Sequence, residues 1–127
     1  MSFIDEIKNR AKKEIKKIVL PESEDDRTLK ATSEVLKQKF AKITLIGNRK
    51  TILKRAQELN LNNIEEAEII DPVNSDKYNE FVEKFYELRK NKGMTIENSK
   101  EYMLDNTYFG MMMVKQGYAD GLVSGAV

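Results

Sequence analysis

The 127 residues predict an α/β domain built around a mainly parallel sheet. Three observations carry that prediction. Helical periodicity alternates with short apolar strands three times, and a fourth strand-like run, Ala119 to Val123, comes near the end. Each strand candidate stops at Pro, Gly or Asp-Pro, the residues that end a ladder and open a loop. Repeated strand–helix–strand units are best satisfied by crossovers between parallel neighbours. At this length one domain is expected over residues 1–127, with enough chain for a core that needs no covalent staples.

Taken in order, Phe3, Ile4, Ile7, Ala11 and Ile15 recur at helical spacing, with lysines between them. Such a basic stretch suits an anionic surface, but the solvated face of a packed helix explains it more cheaply. Ile18 to Leu20 predicts a buried strand ended by Pro21. The polar loop 21–27 leads into a helix that Ser23 can cap, with Leu29, Leu36 and Phe40 on one face. Its clustered acids suit the positive end of a helix better than a magnesium site. Arg27 either faces a cleft or pairs with Glu24, the second being the simpler structural role. Lys42 to Ile46 predicts the second strand, closed by Gly47-Asn48, and Arg49 to Leu59 the next helix. Ala67 to Ile70 is the third strand, stopped by Asp71-Pro72.

Ser75 is placed to cap the longest helix, whose stripe of Tyr78, Phe81, Val82, Phe85 and Leu88 reads as core. Gly93 ends it, and Thr95 caps a shorter helix running through Met103. Asp105 or Asn106 caps the last helix, Thr107 to Gln116, where Met111, Met112 and Met113 fill irregular core space. The strand from Ala119 to Val123 hands over to Ser124-Gly125. Ligands of open α/β sheets bind outside the carboxyl ends of strands. A small hydroxyl residue beside a glycine suits close approach of an anion there, although turn chemistry alone accounts for the same pair. The sequence therefore ends where a site is expected to begin.

Composition excludes several chemistries. A net charge of +1 gives no global pull toward nucleic acid or an anionic membrane. There is no cysteine and no histidine, so thiolate chemistry, a Ser-His-Asp triad and histidine metal ligands are all out of reach. Gly47 is a lone glycine rather than part of a GxGxxG or P-loop. Neither a signal-type apolar run nor a stretch of ~20 apolar residues occurs, which makes the cytoplasm the expected compartment.

Three blocks go further: KIVLPESEDDRTLKA at 17–31, YELRKNKGMT at 86–95 and YFGMMMVKQGYADGLVSGAV at 108–127. With Gly47-Asn48 and EIIDPVNS at 68–75 in the same order, essentially the whole chain resembles the N-terminal part of the phosphate acetyltransferase (phosphotransacetylase) family. The resemblance implies a three-layer α/β/α arrangement with a mainly parallel sheet, an incomplete part of a two-domain, isocitrate-dehydrogenase-like enzyme whose site lies between the domains. It implies interconversion of acetyl-CoA plus phosphate with acetyl phosphate plus CoA, by direct acyl transfer in a ternary complex. CoA is then a substrate rather than a tightly held cofactor; no metal is required, the partners are small molecules, and the full-length protein is expected to be a homodimer. Matched by motif, Arg89 binds substrate near the acyl phosphate, and Ser124 and Gly125 belong to the substrate cleft. Read without the motif, Arg89 is a cation in the last turn of a helix. Where Asn91 stands the family often has histidine. The Ser-Arg and Asp residues that the family assigns to catalysis lie past Val127, so no catalytic residue is assigned within the chain, and the chain alone is expected to be inactive. The rival readings are a phosphate butyryltransferase and a non-catalytic assembly or regulatory α/β domain.

Overall fold

The computed structural model describes residues 4, 5, 7, 16–39 and 41–124. Of the residues singled out above, Phe3, Ala11, Ile15, Phe40 and Gly125 lie outside them. Four strands, β1 (Lys16–Leu20), β2 (Ala41–Ile46), β3 (Glu68–Ile70) and β4 (Gly121–Leu122), form one sheet in the order β3-β2-β1-β4. Every pairing is parallel, with Ile18 opposite both Ile43 and Gly121, and Leu45 opposite Ile69. Helices α1 (Asp26–Gln38) and α2 (Arg49–Glu58) follow β1 and β2; α3 (Tyr78–Arg89), α4 (Ile96–Tyr102) and α5 (Asn106–Lys115) lie between β3 and β4.

Period-two alternation along the strands divides the core into two halves. Ile18, Leu20, Ile43 and Leu45 face Leu29, Val35, Ile52 and Ala56 of α1 and α2, and Ile7 joins that cluster fully buried. Val19 and Ile46 face the other way, against Phe81, Phe85, Phe109, Met112 and Met113 of α3 and α5. The sheet thus has helices on both faces, which makes three layers. The aromatic stripe of α3 is core as its spacing predicts, with Phe81 and Phe109 packed 4.9 Å apart between ring centres.

Several local expectations are corrected. Ser23 does not cap α1. Asp25 does, accepting from the Arg27 N–H, because a carboxylate gains more from the helix dipole than a hydroxyl. Arg27 pairs with Asp25 rather than Glu24, at 3.0 Å. Ser75 accepts from Lys77 N one turn early, and α3 begins at Tyr78; at 12 residues it is shorter than the 13-residue α1. Gly93 (φ +87°) closes a 3-10 turn, Lys90–Lys92, interposed after α3. Leu88 and Met111 are about half exposed, at 50% and 47%, because each sits on the outer side of its helix. The ladder of β4 is shorter than its apolar run, yet Asp120 and Val123 still donate to the carbonyls of Lys17 and Val19. Among the described residues β4 lies at the sheet edge, paired with β1.

Candidate functional site at the carboxyl edge of the sheet

The strand order reverses direction once. The chain builds outward from β1 to β2 to β3 with α1 and α2 on one face, then returns across the other face to lay β4 against β1. This leaves a topological switch point between β1 and β4, where the loops that leave neighbouring strands diverge and open a crevice at their carboxyl ends. The loop 21–25 leaves β1 there, and Ser124, which is exposed, follows β4.

The loops at this edge are pinned by the backbone. Ser23, 1% exposed, donates its hydroxyl to the Ile46 carbonyl at 2.6 Å, tying the β1 loop to the last residue of β2. Gly47 in turn donates its N–H to the Ile70 carbonyl at 2.8 Å, tying β2 to β3. Gly47 has φ +155°, and a Cβ there would run into the Ser23 hydroxyl and stand 3.2 Å from Ile52 Cδ1. A glycine is therefore required on two counts, conformation and space. Nothing local in the sequence announced this Ser23–Gly47 contact, because the two residues are brought together only by strand pairing. Asn48 then caps α2, accepting from both the N–H and the hydroxyl of Thr51.

Arg89 reaches the same edge by the course of α3. Near its start, Lys77 Nζ lies 4.9 Å from the Tyr118 ring, and Glu80 accepts from the Tyr118 hydroxyl. Tyr118 immediately precedes β4, beside the Asp120–Lys17 bonds at the amino end of the sheet. Five residues on from Glu80, Phe85 meets Tyr108 in the first turn of α5, two residues before Gly110, which packs against Val19, Ile46 and Leu122. So α3 runs in the same sense as the strands, and Arg89 is its last residue, on the end nearer their carboxyl ends. Arg89 is exposed, with its guanidinium carbon 5.4 Å from the Phe85 ring centre, and its carbonyl accepts from Met94 N.

The electrostatics separate this arginine from two others. Arg55 forms a fork to Asp26 at 2.7 and 2.6 Å and reaches Glu58 at 3.1 Å, and these bonds raise its own pKa. The same contact holds the Asp26 carboxyl below its usual range, and Arg27 does the same to Asp25. Among the described residues no carboxylate pairs with Arg89, and Glu87, two positions before it, is engaged by Lys90 at 2.8 Å. Asp25 and Asp26 are thus spent on capping and ion pairs. Among the described residues no group of three metal-ligating side chains comes together.

Grooves flank this edge without filling it. One of about 260 Å³ lies between Ser23, Glu24, Lys54 and Glu58, and another of about 730 Å³ follows β3 between Arg49, Lys50 and Asn74. A groove of about 520 Å³ with a mixed lining that includes Leu53, Gln57, Asn60 and Ile64 lies at the far end of α2, remote from the switch point. What the carboxyl edge offers chemically is an unneutralised guanidinium, an exposed hydroxyl and pinned backbone.

Comparison with known proteins gives a consistent answer. The family model described as "Phosphate acetyl/butaryl transferase" matches residues 2–127. The chain is 54% identical to a phosphate acetyltransferase of Thermoanaerobacterium thermosaccharolyticum over its whole length, covering 38% of that protein. It is 50% identical to a phosphate acetyltransferase of Acetivibrio thermocellus, covering 37% of it. Among solved structures, the EutD phosphotransacetylase from Staphylococcus aureus superposes with a TM-score of 0.84 at 37% identity, over 98% of this chain and 37% of that one. The chain therefore spans somewhat over a third of the length of these relatives.

Proposed function

This chain belongs to the phosphate acetyl/butaryl transferase family, and we propose that its carboxyl edge forms one wall of a cleft in which acetyl-CoA plus phosphate and acetyl phosphate plus CoA are interconverted. What supports the reading is Arg89, an exposed guanidinium without a carboxylate partner among the described residues, carried on the helix end nearer the carboxyl ends of the strands, where doubly wound sheets receive ligands. A guanidinium presents a rigid fork of donors that matches the oxygens of a phosphate. Relatives named for acetyl transfer favour the acetyl substrate over butyryl.

In the direct transfer, the CoA thiol loses its proton to a carboxylate base, and the sulfur forms a bond to the acetyl carbonyl carbon. The carbon–oxygen bond to phosphate then breaks, and phosphate leaves with the electron pair. Within this chain Arg89 holds the phosphate oxygens and offsets the charge that grows on them. Ser124 lines the same cleft, to which the motif also assigns Gly125. The base is assigned to none of the acids here, because the family resemblance puts it past Val127; of the nearby acids, Asp25 and Asp26 are already committed to Arg27 and Arg55. CoA and acetyl phosphate come and go as substrates, the compartment is the cytoplasm, and the full-length protein is a homodimer.

The test is a chimera in which this chain replaces the matching segment of the 54%-identical relative. CoA-dependent release of phosphate from acetyl phosphate is expected from the chimera and not from the 127-residue chain. A folded chimera without that activity, or equal activity from the chain alone, would overturn the assignment.

A further inference from the structure

We propose that Phe85 is a positioning residue for Arg89: its ring, locked between helices, holds the guanidinium at the carboxyl edge while leaving its N–H donors for an anion. The proposal rests on the reading of Arg89 given above. Phe85 and Arg89 stand four apart on α3, which puts them on one face of the helix. The guanidinium carbon lies over the ring at 5.4 Å, within cation–π range.

The ring itself has little freedom. Phe85 is 5% exposed and meets Tyr102 of α4 at 5.4 Å and Tyr108 of α5 at 5.8 Å, and those two rings meet each other at 4.8 Å. Phe85 cannot turn away without displacing one of them, so three helices fix the surface on which the arginine rests.

The form of the contact matters. Contact through a ring face consumes no N–H donor, whereas Arg55 spends its N–H groups on Asp26 and Glu58. An arginine held by a ring is ordered and still unsatisfied. Ordering it in advance lowers the entropy lost when an anion binds. The nearby carboxylate that would compete, Glu87, is drawn to Lys90.

Phe85 also belongs to the core, so the test must separate packing from positioning. Phe85→Leu keeps an apolar side chain and removes the ring; Phe85→Tyr keeps the ring. In the chimera, Phe85→Leu is expected to lower kcat/KM for acetyl phosphate about two- to fivefold, the factor that an exposed cation–π contact supplies, chiefly through KM. In an Arg89→Ala background the same change is expected to do nothing further, and Phe85→Tyr is expected to behave as the parent. An equal loss in both backgrounds would make Phe85 a packing residue and overturn the proposal.

A second readout uses the 127-residue chain and stands apart from catalysis. By nitrogen-15 relaxation, the Arg89 Nε–Hε bond is expected to be more ordered than that of Arg49, an exposed arginine that no described ring contacts. Equal disorder at the two sites overturns the positioning role even if Phe85→Leu fails to fold. Ordered Arg89 together with unchanged kinetics in Arg89→Ala would instead sink the substrate-binding reading of Arg89.

Discussion

The two ends of the sheet treat charge in opposite ways. At the amino end, Lys17 reaches Glu68 at 2.9 Å, Thr44 donates to the same carboxylate, and Asp120 accepts from the Lys17 N–H. Tyr118 donates to Glu80 beside them, and Lys77 lies against its ring. At the carboxyl end, Asp25 and Asp26 are paired with Arg27 and Arg55, while Arg89 is left without a carboxylate among the described residues. At the amino end the charges are paired; at the carboxyl end one guanidinium is not.

If the contrast is functional, the largest effect belongs to Arg89. In the chimera, Arg89→Ala should cost roughly 2–5 kcal/mol of transition-state binding, because it leaves a sequestered anion unpaired. That corresponds to a loss of about thirty-fold to several thousand-fold in kcat/KM. Arg89→Lys should recover only part of it, since a point charge cannot reproduce the fork. Unchanged kinetics would dissolve the distinction between the two ends.

Gly47→Ala tests the pinning of the carboxyl edge. Positive-φ strain of about 1–3 kcal/mol, with the clash against Ser23 added, should lower the urea midpoint of the isolated chain. A neutral outcome would mean that the edge yields, and that Ser23 does not hold it.

The amino end should show in the acid limb of stability. Burial pushes the Glu68 carboxyl up, but the hydrogen bonds from Lys17 and Thr44 outweigh it and hold it below its usual range. The folded state thus favours the ionised form. That contribution is complete above the unfolded value of about 4 and fades as pH falls through the lower folded value. Lys17→Met should therefore flatten the fall of Tm between about pH 5 and pH 2, and Arg55→Met should do the same through Asp26. Parallel Tm curves for parent and variant would show that the pair adds nothing.

The smallest effect is expected at Tyr118. Its hydroxyl is exposed and bonds only a surface carboxylate, so Tyr118→Phe should move Tm less than Gly47→Ala does and leave chimera kinetics alone. A kinetic effect there would mean that the amino end also serves the reaction.

Much of this was legible before any coordinates. Helical period, the cap at Thr95 and the apolar strand runs are short-range properties, and the elements they predict within the described residues are present. The motif blocks also singled out Arg89, and the i, i+4 spacing of Phe85 and Arg89 was there to be read. Contacts that depend on which elements become neighbours were not legible. Ser23 could serve as a helix cap or as a donor to Ile46, and only the β1–β2 pairing brings that carbonyl within reach. Arg55 could face solvent or Asp26, 29 positions away in sequence, and only the packing of α1 beside α2 decides it. Likewise the methionines of α5 share one chemistry, yet Met113 is buried and Met111 is not, because the sheet covers only one side of the helix. By itself, then, the sequence determined the elements, their order and the family. The tertiary structure decided the reversal that sets β4 against β1, the direction of α3 and the partner of each charge, because these arise from long-range packing that local propensity does not encode.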